Sequence, residues 1–328
     1  FNDNHGSNET TFKIDAPISK SFGKLFAFNV GLTADVTQYK SDSAEDINNT
    51  LYYLTPAIQF KTPNFKIVAG FTPSWDNSSF YLLPNFTADV KLNEEKFILQ
   101  AGWVGYFNKT TYQSLASINP WLQQPKFLMN TRLREQYAGF KGSAGKHVTY
   151  NAKVSYIQFT NQPLFVNDTI TGRSFEVVNE SEMKAIRVHG EIGYTSQEKF
   201  SLLAGATFSQ YSSLKDNEKA FGLLPLEING ALRWQVLKDF LVKSDVYFWD
   251  GPQYRNKTLG SGKLDPAFDA NLGVEFGIIK NLNAWVQFNN VFNNRYERWN
   301  QYPVLGFNVL AGVVYSFGEL KTNALLIQ

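Results

Sequence analysis

The stretch Val304-Leu305-Gly306-Phe307-Asn308-Val309-Leu310-Ala311-Gly312-Val313-Val314-Tyr315-Ser316-Phe317 decides the fold. In an extended chain, Leu305, Phe307, Val309, Ala311, Val313, Tyr315 and Phe317 fall on one face, with Gly306, Asn308, Leu310, Gly312, Val314 and Ser316 on the other. The first face is apolar and ends in two aromatics, while the second is mostly small or polar. Period two with such contrast describes a strand with one side on an oily surface and the other on something confined or wet. A soluble sheet can carry one strand of this kind, so repetition has to decide.

The pattern repeats along the chain. Phe26, Phe28, Val30, Leu32, Ala34 and Val36 alternate with Ala27, Asn29, Gly31, Thr33, Asp35 and Thr37. Further alternating runs occupy 10–17, 54–60, 65–71, 82–91, 97–103, 148–156, 186–194, 200–209, 226–234, 242–248, 268–276 and 282–289, with a poorly patterned one at 132–141. With the last stretch the count reaches 15. Pro56 and Pro84 fall inside runs, where each removes a ladder donor and is expected at an edge or bulge. Short connections near 19–23, 61–64, 92–95, 142–146, 195–199, 236–239 and 279–281 alternate with long polar ones at 41–49, 108–130, 161–180, 212–222 and 251–266. Tight turns on one rim and loops on the other, around strands of ~10 residues, describe an all-β transmembrane antiparallel barrel. Sandwiches and propellers have no reason to sort their connections this way.

Composition agrees. Aromatic residues make up 16% of the 328, Met is 2 and Cys is 0, which suits strands and excludes disulfides and thiolate metal sites. A net charge of +2 without a basic block sets nucleic acid aside as a partner. No apolar run approaches the ~18 residues of a spanning helix. The chain starts at Phe1, which fits a mature or trimmed sequence.

Asn290-Val291-Phe292-Asn293-Asn294-Arg295-Tyr296, then Glu297-Arg298-Trp299-Asn300 and the run from Tyr302 to Phe317, resembles the end of a TonB-dependent receptor barrel. Such receptors carry an Asn-x-Phe-(Asn or Asp)-x-x-Tyr segment before a last strand ending in an aromatic. The Tyr-Glu-Arg-Trp-Asn variant is similar to the Bacteroidetes-type branch. The resemblance implies an outer-membrane location in a Gram-negative bacterium and transport or ligand uptake. It also implies that Val313, Tyr315 and Phe317 form the membrane-insertion signal. Departures are that no plug domain, TonB box or Gly-rich plug signature stands in the N-terminal part of this sequence, and that 11 residues follow Phe317 where the family usually stops. The competing class is therefore a plugless accessory or structural barrel subunit of a larger outer-membrane assembly, which a plug-free full gene would favour.

The expected organisation is an extracellular segment at 1–9, the barrel at 10–317 and a periplasmic tail at 318–328. With a periplasmic end at Phe317, 15 strands place the first residues outside. Single-chain bacterial barrels have even strand numbers, so the complete barrel should have 16 or more.

The inward alternation supplies lumen-lining candidates: Arg187, His189, Glu191, Glu227, Arg233, Lys243, Asp245, Asp269 and Glu275, with Asp35, Lys66, Asp89, Lys91 and Lys153 in the same phase. Mixed signs describe a hydrated wall whose charges neutralise one another, or a lining that selects solutes or holds a plug. Histidines only at 5, 147 and 189 recommend neither a metal site nor a Ser-His hydrolase, and no cofactor or enzyme is expected. In the longest loop, 112–118 and then Asn119, Pro120, Trp121 and Leu122 form an apolar island in polar surroundings. It either packs on the rim as a cap or meets a ligand or partner. Lipid and lipopolysaccharide are expected partners, with other outer-membrane or periplasmic proteins in a complex. Asp42-Ser43-Ala44 and Asp168-Thr169-Ile170 resemble Bacteroidetes O-glycosylation sites. The facing is testable: Val154→Arg should harm folding into lipid more than Ser155→Arg, because a lipid-facing cation costs ~2 to 4 kcal/mol at the midplane.

Overall fold

The computed structural model describes residues 1–3, 6–41, 44–197, 199–257 and 260–317, and there the alternation becomes one antiparallel sheet. His5, Asp42, Ser43 and the tail at 318–328 lie outside the described residues. The strands are Ser7–Phe22, Phe26–Ser41, Ala44–Leu54, Ala57–Lys61, Phe65–Asp76, Ser79–Asn93, Phe97–Asn108, Thr131–Ala144, Val148–Thr160, Met183–Ser196, Phe200–Ser212, Leu226–Leu237, Phe240–Trp249, Ala267–Ile279, Leu282–Asn289 and Asn308–Tyr315. Ala44–Leu54 and Ala57–Lys61 both lie between Phe26–Ser41 and Phe65–Asp76. They are two halves of one position, so the wall has the 15 positions that the alternation requires. Among the described residues no ladder joins Ser7–Phe22 to Asn308–Tyr315.

Both awkward prolines have a local solution. The break between the two halves falls at Thr55 and Pro56. Thr55 still donates its N–H to the Gly31 carbonyl at 2.8 Å. Across from the break stands Gly70, where an added Cβ would lie 2.2 Å from the Pro56 carbonyl oxygen, so only glycine lets the interrupted strand approach. Pro84 sits where one ladder runs out. Pairing of Ser79–Asn93 with Phe97–Asn108 stops at Asn85 and Val104, so no donor is wanted on that side.

Directly opposed residues share a face, so the register carries the facing around the wall. Val154 pairs with Ala138 and Val188, and Val188 with Phe208. One residue along, Ser155 pairs with Tyr137 and Arg187, and Arg187 with Ser209. Val154 is 52% exposed and Ser155 is 2% exposed. The exposed face carries Phe12, Phe28, Trp103, Ile192, Phe208 and Trp234, an apolar surface that only hydrocarbon suits. Among the described residues no helix is long and apolar enough to cross a membrane.

Two expectations about boundaries fail. The first strand begins at Ser7 and extends to Phe22, well beyond 10–17. The supposed polar loop at 41–49 is mostly strand, since Ala44–Leu54 pairs Gln38 with Asn48 and Thr37 with Asn49. Here the wall rises beyond the apolar band, so its outer face no longer needs apolar residues and the alternation fades. The long connections also hold structure: a helix, Tyr112–Ile118, and three hairpins, Gln162–Asn167 with Phe175–Glu180, Gln253–Asn256 with Gly260–Lys263, and Glu297–Trp299 with Tyr302–Pro303.

Candidate functional site at the loop end of the lumen

The long loops converge on one another over the barrel mouth. Tyr39, on the inner face of the wall, is fully buried in a cluster with Tyr112, Leu115, Leu122, Leu128, Phe165, Phe175 and Trp299. Phe165 and Phe175 set their rings edge-on to Trp299, with centroids 5.2 and 5.4 Å away. Backbone bonds tie the loops: Gln123 N–H to the Phe175 carbonyl at 2.8 Å, Phe165 N–H to Phe221 at 3.2 Å, and Gly222 N–H to Gln253 at 2.9 Å. Tyr302 donates its hydroxyl to the Arg173 carbonyl at 2.6 Å. Five long connections are thereby tied into one cap, and three of them build its apolar core with Tyr39.

Buried carboxylates hold the cap's turns. The helix Tyr112–Ile118 starts at Thr111, whose hydroxyl accepts the Ser114 N–H at 3.0 Å. Glu9, from the first wall strand, accepts the N–H groups of Tyr112 and Gln113 at 2.5 and 3.1 Å. Asp168 closes its hairpin tip by accepting the N–H groups of Ile170, Thr171 and Ser174 and both hydroxyls of Thr171 and Ser174. Burial alone would raise its pKa, but those bonds from Thr171, Ser174 and Ile170 hold it well below the usual carboxylate range. Glu180 is held down in the same way: against burial, it accepts the N–H groups of Asp216, Lys215 and Asn217 and the Asn217 amide. In the second sequon-like triplet, Thr169 and Ile170 are exposed at this tip, while the Asp168 carboxylate is fully engaged below them.

The apolar island divides. Asn119 and Leu122 are buried, whereas Pro120 and Trp121 are exposed. Trp121 stacks on Tyr302 at 4.2 Å and 16°. The two rings border an open groove with Pro120, Gln123, Gln124 and Ser174.

Below the cap, the register puts all nine lumen candidates on the inner phase. Lys243 is paired with Glu275. Arg187 Nε donates to Ser209 Oγ at 3.1 Å, His189 Nδ1 lies 2.9 Å from Thr207 Oγ1, and Asp269 accepts the Tyr296 hydroxyl at 2.6 Å. Arg187, His189 and Glu191 each face their neighbours on adjoining strands, and no three potential metal ligands converge among the described residues. Among the inner charges that escaped the sequence reading, two stand out by their burial. Glu135, nearly buried, accepts Lys153 Nζ at 2.9 Å and the Ser155 hydroxyl at 2.6 Å. Its strand has Leu133 and Tyr137 in the inner phase and Gln136 in the outer, which hides the period; the signal present was an acid two residues from Tyr137. Arg298, in the last long loop, lies 4.3 Å from the Trp299 ring and donates to the Gly222 carbonyl at 3.0 Å. Burial pushes its guanidinium down to about 10, opposed by Glu227 and Tyr211, so it stays charged at neutral pH.

An apolar-faced strand wall, a charged inner face and a folded cap on one rim describe the wall of a membrane barrel. No protein-family model and no curated protein sequence matches the chain. Solved structures do. The FrpB iron transporter from Neisseria meningitidis superposes with a TM-score of 0.67 at 13% identity, covering 95% of this chain and 55% of that one. The ferric enterobactin receptor PfeA from Pseudomonas aeruginosa, in complex with enterobactin, gives 0.69 at 12%, covering 95% and 54%. The siderophore receptor PirA from Acinetobacter baumannii gives 0.69 at 12%, covering 95% and 55%. The likeness is one of fold: the wall is built like the barrels of these receptors, as the segment from Asn290 suggested, and the chain spans about half the length of those structures. The neighbours are transporters and receptors rather than enzymes, and they lend no support to an accessory subunit.

Proposed function

We propose that the chain forms wall and outer cap of a TonB-dependent uptake receptor in the outer membrane of a Gram-negative bacterium. The cap carries this reading, because three loops and Tyr39 of the wall share one buried core and make a fixed ligand-facing surface at the mouth of a polar lumen. The exposed Trp121 stacked on the half-buried Tyr302, with Pro120 beside them, supplies its aromatic platform, and Asn119 and Leu122 anchor it. The lumen charges line the route below, and Val313, Tyr315 and Phe317 serve as the assembly signal at the far rim. Residues 1–9 belong to the outer side, 318–328 to the periplasmic side, and further strands close the ring between Ser7–Phe22 and Asn308–Tyr315, whose unpaired backbone groups hydrocarbon would not tolerate.

Because one neighbour is held with enterobactin, ferric enterobactin is the first solute to test. Binding should quench tryptophan fluorescence in the wild type, and Trp121→Ala should weaken it at least tenfold. A panel of ferric siderophores that all bind equally to wild type and Trp121→Ala would remove the platform from the ligand site.

A further inference from the structure

Just beyond the apolar band, on the loop side, the outward face of three adjoining strands turns basic. Ala138, Val154, Val188 and Phe208 form one row across the sheet; Gln136, Tyr156, Ile186 and Gln210 form the next; Arg134, Gln158, Lys184 and Ser212 form the third. Arg134, Gln158, Lys184 and Ser212 are all exposed. Past them, Arg132 opposes Thr160, donates to its hydroxyl at 3.2 Å and lies 4.3 Å from the Tyr81 ring. Asp76 acts electrostatically on Arg132, Glu182 lies 4.0 Å from Lys215, and neither Arg134 nor Lys184 forms an ion pair among the described residues.

The depth of this strip is set by its neighbours. Tyr150 and Tyr156 bracket Ala152 and Val154 on the outward side of one strand, as aromatic girdles bracket the hydrocarbon band. Two residues beyond the Tyr156 row is a step of roughly 6 to 7 Å, which reaches headgroup depth. Arg134 and Lys184 stand two strands apart, about 10 Å, with the amide of Gln158 between them. Long cationic side chains at that spacing converge on one phosphate, the guanidinium as a fork and the ammonium as a point charge.

We propose that Arg134, Lys184 and Arg132, with Gln158, bind a phosphate of a phosphorylated glycolipid in the outer leaflet, a lipid A-type headgroup. This rests on the outer-membrane reading, since the strip meets lipid only if the apolar face does.

The test uses the full chain folded in detergent micelles, with bisphosphorylated lipid A as the probe and native mass spectrometry as readout. The Arg134→Gln, Lys184→Gln double variant should lose at least tenfold in affinity, while Arg134→Lys with Lys184→Arg retains binding. Dephosphorylated lipid A should bind wild type and variant alike and weakly, and millimolar inorganic phosphate should not displace the lipid. Equal affinity of wild type and the Gln double variant, or equal affinity for phosphorylated and dephosphorylated lipid, overturns the proposal. Failure of the underlying reading looks different: Val154→Arg would then fold into lipid as readily as wild type.

Discussion

The wall and the cap use the same residue types in opposite ways. In the wall, large apolar side chains such as Phe208 and Trp234 point away from the protein and remain exposed. In the cap, Phe175 and Trp299 are buried against one another as in a water-soluble core. Polar groups invert as well, since Ser155 and Glu135 are buried in the wall while the cap's charged chains mostly face solvent. Apolar residues therefore report the solvent of each region: hydrocarbon around the wall, water around the cap.

The sharpest way to break this comparison is Phe175→Ala. Truncating a fully buried Phe costs ~3 to 5 kcal/mol in a water-type core. Residues 162–180 should lose hydrogen-exchange protection while the barrel stays folded and heat-modifiable on a gel; loss of the barrel too would show that cap and wall are one cooperative unit.

Val154→Arg comes next, at ~2 to 4 kcal/mol against insertion. The structure changes its proper control. Ser155 is buried and bonded to Glu135 beside Lys153, so Ser155→Arg is itself costly, whereas Asn229 faces the lumen and is exposed. Asn229→Arg should refold into vesicles like wild type; similar losses in Val154→Arg and Asn229→Arg would undo the facing.

A smaller effect is expected from pH. A carboxylate whose folded pKa is depressed contributes stability above its unfolded value, ~3.9 for Asp, and loses it as pH falls through the lower folded value. Exchange protection around Asp168–Ser174 should thus hold from pH 7 to 5 and fade only below about pH 4. Asp168→Asn should lower protection and flatten that profile. A decline already between pH 7 and 5 would point to another group.

The smallest effect belongs to Lys243→Gln. Its pair with Glu275 is water-exposed on both sides, so stability should change by less than ~1 kcal/mol in a urea titration. A larger loss would mean that the lumen there is dry.

What the sequence revealed follows from the same contrast. Strand facing was legible wherever hydrocarbon meets one side and water the other, as at Val148 to Tyr156. It faded at Ala44 to Asn49, where both sides of a projecting hairpin are polar, and at Arg132 to Lys141, where Arg134 and Gln136 occupy outward positions. The island around Trp121 was visible, but not its division, because Leu122 is buried in a cluster with residues far along the chain, among them Phe175, some fifty residues on and joined to Trp121 by a backbone bond at 3.0 Å. Glu9 gave no local sign of its task, since the helix that it caps lies about a hundred residues away.

That last contact sets a timetable. The helix Tyr112–Ile118 is seven residues long, too short to persist by itself in water, and its first N–H groups are claimed by a side chain from Ser7–Phe22. Its birth must wait until the sheet has brought Glu9 alongside, so the mouth is dressed only after the staves are raised. Pulse-labelled refolding should show amides of Tyr112 and Gln113 protected later than those of Phe97–Asn108, and Glu9→Gln should lengthen that delay; simultaneous protection would reverse the sequence of events.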